Sequence, residues 1–168
     1  MFKEPVITPR LTLHPLRKED EAAALKILRS DLVKPTYMLP DLDDTGAKTL
    51  FARFLQMTKR EDRLLVGIYL GEQLIGWVND TEINGDTMEL GWVIHPSFWG
   101  QGYATEAVSA ILNALHRQGF RCIYAGAFSE NTASIRVMEK SGMVLQEKTE
   151  DLEYRGRSHH CVFYASMQ

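Results

Sequence analysis

The chain has 168 residues, 45% of them hydrophobic and 24% charged, which is the size and make-up of one folded domain and excludes disordered, collagen-like and coiled-coil classes. Nineteen Lys and Arg stand against 22 Asp and Glu, a formal net charge of -3 without a basic run, so a nucleic-acid partner is not expected. The longest apolar run, residues 64–70, is far short of the ~20 residues that cross a bilayer, and the opening residues carry no signal-peptide pattern; no membrane partner and a cytoplasmic location are expected.

Leu11, Leu13 and Leu16 alternate with Thr12 and His14 and predict a half-buried first strand, followed by a helix of good formers over residues 19–29. Residues 30–44 hold Pro35 and Pro40 and no period, which reads as a loop or a broken helix. Asp44 or Thr45 is placed to cap a second helix whose Leu50, Phe51, Phe54 and Leu55 share one face. Two β-like runs, residues 64–70 and 73–78, meet at Gly71-Glu72, and Asn84-Gly85-Asp86 signals a further hairpin into residues 87–94. These three strands form an antiparallel meander. Val108, Ile111, Leu112 and Leu115 then place a helix over residues 104–118, with Gly119 as its C-terminal cap. The next strand, residues 121–127, follows that helix and therefore pairs parallel with residues 87–94 through a right-handed crossover. Asn131 caps a shorter helix ending near Gly142, and residues 143–151 and 158–165 are two last strands turning at Arg155-Gly156. The expected class is α/β or α+β, a single domain over residues 1–168 in which about seven strands form a mixed sheet flanked by about four helices. Cys122 and Cys161 lie far apart in apolar strand-like stretches and read as reduced, buried thiols.

The chemistry concentrates in residues 89–107, where a strand passes through a glycine-bearing turn directly into a helix. The free N–H groups of a helix start, with the positive end of its dipole behind them, make an anion site. Gly100 and Gly102 leave the backbone bare, and Ala104 is small; the same turn is equally a tight connection with no ligand. A dinucleotide fingerprint does not fit, since Thr105 holds the third glycine position and the strand follows hairpins, and a P-loop would need glycine-lysine-Ser/Thr. No metal-ligand spacing occurs: His159 and His160 are strand neighbours facing opposite ways, and with His95 they read as structural or solvent-facing. No serine elbow or nucleophilic cysteine signature is present.

Residues 88–107, together with Ser129-Glu130-Asn131-Thr132-Ala133-Ser134, Glu139-Lys140-Ser141-Gly142-Met143 and the opening Thr8-Pro9-Arg10-Leu11-Thr12-Leu13-His14-Pro15-Leu16, resemble the GCN5-related N-acetyltransferase superfamily. Within it the likeness is to the branch of the bacterial ribosomal-protein alanine N-acetyltransferases. The resemblance implies a mostly antiparallel sheet with a splayed parallel central pair, acetyl-coenzyme A as cosubstrate and no metal. It implies direct transfer, in a ternary complex, to a primary amine: a protein or peptide N-terminus, or a small molecule such as a polyamine, amino sugar or antibiotic. The enzyme would be a monomer or homodimer. The pyrophosphate is expected on backbone N–H groups of Gly100, Gln101, Gly102, Tyr103, Ala104 and Thr105, and the pantetheine arm alongside Trp92, Val93, Ile94 and His95.

Asn131 matches the family's asparagine that contacts this arm, besides its role as a cap. Trp99 departs from the family pattern by standing where Gln or Arg is usual. Glu89 resembles the superfamily's general base, although a cross-strand ion pair would suit it equally; the oxyanion is expected at a backbone N–H near Val93, where relatives carry a bulge. Ser134 is the candidate partner of the departing thiolate, because Met138 stands where many relatives have a tyrosine acid. That missing tyrosine keeps a non-catalytic coenzyme A binding module as the alternative. Acceptor choice is expected from residues 30–44 and the turn near Arg155, with Asp41, Asp43 and Asp44 available to attract a cationic amine.

Overall fold

The computed structural model describes Phe2 and residues 4–168. Two short strands open it, β1 (Val6–Ile7) and β2 (Thr12–His14), antiparallel with Val6 opposite Leu13. β1 makes eight strands where seven were expected; a two-residue strand is too short to show a period. The first helix begins as a 3-10 turn, Lys18–Asp20, because the Asp20 carboxylate reaches back to accept from the Arg17 N–H (2.7 Å), and α1 proper runs over Glu21–Leu28. α2 (Asp44–Met57) is capped by Asp43 rather than by Asp44 or Thr45: Asp43 is extended, and its carboxylate accepts from the Gly46 N–H at 2.7 Å. Replacing Asp43 with alanine should therefore cost about 0.5–2 kcal/mol, read as a lower urea midpoint at unchanged slope.

β3 (Leu65–Leu70) and β4 (Gln73–Asn84) form the first hairpin; β4 continues past Val78, the expected end, because it goes on pairing with β5 (Thr87–Ile94) down to Asn84 opposite Thr87. α3 (Tyr103–Arg117) carries the chain across to β6 (Cys122–Phe128), which lies parallel to β5; α4 (Thr132–Lys140), β7 (Val144–Tyr154) and β8 (Arg157–Met167) complete it. The sheet order is β1-β2-β3-β4-β5-β6-β8-β7, antiparallel except for β5–β6, so the expected mixed class and its single parallel pair hold. Cys122 and Cys161 are both buried, and no disulfide joins them.

Alternation along the strands divides the core in two. Ile68, Val78, Met88, Leu90, Ile123 and Ala125 face α3, which buries Val108, Ile111, Leu112 and Leu115 against them, while Met138 and Met143 close the α4 end. On the other face Leu65, Tyr69, Trp77 and Val93 pack under α1 and α2, through Ile27, Leu28 and Phe51. This second cluster stops at Val93, so the rest of that face, where Glu89, Gly91, Tyr124 and Gly126 lie, is left without a helix over it. The outer strand β7 is mostly exposed, carries Glu147, Lys148, Glu150, Asp151 and Glu153, and slips register against β8 between Leu145 and Thr149. Among the described residues no helix is long and apolar enough to cross a membrane.

Candidate functional site

β5 and β6 pair only from Thr87 opposite Cys122 to Glu89 opposite Tyr124, and beyond that they diverge. The backbone of residues 90–94 therefore has a strand neighbour, β4, on one side only. The His95 N–H donates to Ile75 O (2.8 Å), so ladder alternation turns the N–H groups of Val93 and His95 toward β4 and those of Trp92 and Ile94 toward the gap. The bulge expected near Val93 lies instead at Thr81 on β4, between the pairs Asp80–Leu90 and Glu82–Glu89, while Val93 sits in register with Trp77. The edge available to an added strand is thus set by Trp92 and Ile94. One of its acceptors is already used, because the Trp99 indole N–H reaches back to Ile94 O (2.7 Å).

Two cavities meet at Glu89. One, of about 330 Å³, opens where the strands part and is lined by Leu90, Gly91 and Trp92 from β5, Gly126, Ala127 and Phe128 from β6, and Ser134 from α4; Tyr37 and Met38 close its far side. The other, about 530 Å³, runs along Glu82, Thr87, Tyr124, Glu147 and Lys148. The Glu89 carboxylate is half-buried and forms no hydrogen bond or ion pair among the described residues, so the cross-strand ion pair is not made. Burial raises its pKa above the ordinary value, and the like charges of Glu82 and Glu150 add to that against Lys148.

At the turn, Gly100 and Gly102 both take left-handed backbone (φ +73 and +80) that side chains disfavour. A Cβ at Gly100 would meet nothing within 4 Å, so the space in front of this turn is open. The first helical bond of α3 is Glu106 N–H to Gly102 O (3.0 Å), which leaves the N–H groups of Tyr103, Ala104 and Thr105 ahead of the ladder, without a partner inside the helix. Three N–H groups at a helix start, facing open space, are the donor set that an anion needs.

Arg10, not singled out as a site residue from the sequence, holds the cradle from outside. Its Nε donates to Glu106 Oε2 (2.6 Å), its backbone N–H to Glu106 Oε1 (3.0 Å) and its Nη1 to Gln101 O (2.9 Å), and its guanidinium lies 4.6 Å above the Tyr103 ring. Burial pushes the Glu106 carboxyl up, but hydrogen bonds from Thr8 and Arg10 outweigh it and keep the group below its usual range. Only the Thr8-Pro9-Arg10 opening pointed this way, since the contact spans 96 positions.

The remaining candidates divide. Asn131 Oδ1 accepts from the Ser134 N–H (3.2 Å) and so caps α4, leaving its amide Nδ2 uncommitted. Ser134 lines the smaller cavity, whereas Met138 is fully buried in the core and offers nothing to it. His95 Nδ1 accepts from the Ser97 N–H (3.2 Å), a local cap. His159 stacks on Phe128 (4.3 Å between centroids) with Nδ1 2.6 Å from Glu130, and His160 pairs with Asp151. Among the described residues no group of three His, Cys, Asp or Glu is placed to hold a metal.

The acids of the loop are paired within the chain. Asp41 is bound by Lys34 (3.1 Å) and Arg155 (2.7 Å), Asp43 caps α2 and Asp44 pairs with Arg29, so all three charges are committed. Residues 30–39 wind into successive turns, and from this segment Thr36, Tyr37 and Met38 line the cavity.

The profile of the acetyltransferase (GNAT) domain family matches residues 10–144. Two curated relatives from Bacillus subtilis (strain 168) are similar: the uncharacterized N-acetyltransferase YnaD, 43% identical over 58 residues that make up 34% of each chain, and the uncharacterized protein YkkB, 30% identical over 151 residues, 84% of this chain and 86% of that one. Among solved structures, the ribosomal L7/L12 alpha-N-protein acetyltransferase RimL in complex with coenzyme A has a TM-score of 0.86 at 18% identity, covering 98% of each chain, which is a likeness of fold.

Proposed function

Because the chain belongs to the acetyltransferase (GNAT) domain family, we propose that it transfers the acetyl group of acetyl-coenzyme A to a primary amine by direct attack in a ternary complex. The observation that carries this reading is the parting of β5 from β6 immediately above Glu89, which puts an unpartnered carboxylate at the apex of a gap whose rim has free backbone N–H groups.

When bound, acetyl-coenzyme A supplies an activated thioester. The N–H groups of Tyr103, Ala104 and Thr105 hold its diphosphate, and Trp92 and Ile94 pair with the amides of its arm, joined by the Asn131 Nδ2. An amine attacks only when uncharged. Glu89, its pKa raised by burial, takes the proton from the incoming ammonium, directly or through one water. With the Ile94 N–H and the Trp92 carbonyl given to the arm, the Trp92 N–H, rather than the one at Val93, donates to the carbonyl oxygen as negative charge develops. The Ser134 hydroxyl serves the departing thiolate, a role supported by that residue's membership of the cavity lining, and a thiol of ordinary pKa about 8.5 leaves tolerably well without an acid. Holding both partners in one gap supplies much of the acceleration by orientation.

Calorimetry with coenzyme A, followed by thiol release from acetyl-coenzyme A against a panel of amines, tests the reading. Binding and amine-dependent release are expected. Absence of binding would overturn it, and binding without release on any acceptor would favour a non-catalytic module, the alternative raised by a methionine at position 138 where many relatives have a tyrosine.

A further inference from the structure

We infer that Tyr154 and Tyr37 hold residues 36–38 as a fixed wall of the 330 Å³ cavity, and that this wall selects primary amines whose first substituent is apolar and uncharged. The inference rests on the proposed transfer reaction, with that cavity as the acceptor's place.

The wall is over-determined. Met38 takes a left-handed backbone (φ +53), a region long side chains rarely adopt and keep only where their surroundings impose it. Three fastenings impose it here. The Tyr154 hydroxyl, from β7, donates to Leu39 O at 2.6 Å and lies 3.0 Å from Lys34 O, while the Leu39 N–H closes onto the same Lys34 O (2.9 Å). Lys34 bridges Asp31 (2.7 Å) and Asp41, and Arg155, next to Tyr154, holds Asp41 from the other side. Tyr37 is anchored to β4: its hydroxyl accepts from the Trp77 indole N–H (3.1 Å) and donates to Asn79. The segment that faces an acceptor is therefore tied to the turn between β7 and β8 and to the sheet itself, far apart in sequence.

Most of the cavity that the wall faces is apolar. Phe128, Leu152, Cys161 and Phe163 line the same cavity, Thr36, Thr81 and Ser134 are its uncharged polar members, and among the described residues Glu89 is its one carboxylate. Once Glu89 has received the reacting amine, a second cation on the acceptor finds no counter-charge there, and burying it unpaired is costly. The Lys148 ammonium sits 4.0 Å above the Phe163 ring and also lines the larger cavity, together with Glu82 and Glu147. An apolar group instead gains contact with the aromatic side chains.

The test is steady-state acetyl transfer by the full chain with four acceptors: phenethylamine, a peptide with N-terminal phenylalanine, glucosamine and spermidine. The phenyl-bearing amines should exceed spermidine and glucosamine in kcat/KM by about 10-fold or more, the discrimination a shaped apolar pocket supplies. The ratio between phenethylamine and the peptide tells a free amine from a chain terminus. Tyr154→Phe, which loses the hydroxyl and keeps the ring, should raise the acceptor KM and leave kcat and the acetyl-coenzyme A KM unchanged. Met38→Gly, suited to the left-handed backbone, should lower the preference for phenyl-bearing amines without unfolding the chain. Spermidine turned over as well as phenethylamine, or a Tyr154→Phe enzyme with unaltered acceptor KM, would overturn this inference alone. No thiol release with any amine would overturn both this inference and the transfer reaction it rests on.

Discussion

Glu89→Gln should lower kcat by about 10²- to 10⁴-fold, the usual worth of a positioned general base, while coenzyme A affinity stays unchanged. The substitution keeps the shape of the side chain and removes its ability to take a proton. In the native protein the rate should rise with pH along a limb that lies above the ordinary carboxylate range, because burial, with Glu82 and Glu150, raises the Glu89 pKa against the pull of Lys148. The consequence for stability has the opposite sign from that for activity. A carboxyl whose pKa is raised on folding favours the folded state when protonated, and that contribution is lost as pH rises through the raised pKa. At neutral pH the charged Glu89 is a liability to the fold, so the glutamine variant should melt no lower than the parent. Thermal melts beside kinetics check both halves, and a variant that lost stability in step with activity would show Glu89 to be structural.

Gly102→Val should weaken coenzyme A binding by about 10²-fold, the equivalent of one or two charge-assisted hydrogen bonds of about 1.5–3 kcal/mol each. At φ +80 a β-branched residue is strained, at a cost of about 1–3 kcal/mol, and relieving that strain reorients the amides that open α3. Space alone is not the obstacle, since a Cβ there would meet only Arg10 Nη2, at 3.5 Å. Titration calorimetry with coenzyme A reads the loss. Acetyl-pantetheine, which has no diphosphate, should bind parent and variant alike. Equal coenzyme A affinity in the two proteins would remove the helix start from the binding site.

The elements that decide the site were legible where local chemistry sets them. The strand–glycine–helix passage announced itself through Gly100, Gly102 and the apolar face of Val108 to Leu115, and the parallel pairing of β5 with β6 followed from the intervening helix. Local signals misled where a neighbour competes for the same group. Asp43, Asp44 and Thr45 are all good caps, and it is the extended backbone of Asp43 that decides among them. The bulge sits at Thr81 rather than near Val93, a matter of how two strands count against each other that neither strand reveals alone. The acids at 41, 43 and 44 looked free because Lys34, Arg29 and Arg155 approach them only in the folded chain. Arg10 and Tyr154 act at sequence separations of about a hundred residues, beyond any motif window.

Both rims of the sheet discourage a newcomer. At one end β1 is two residues long, too little backbone to template another strand; at the other, β7 presents five charged side chains and a broken register. Neither edge therefore offers a long, regular stretch of backbone on which another strand could lengthen the ribbon.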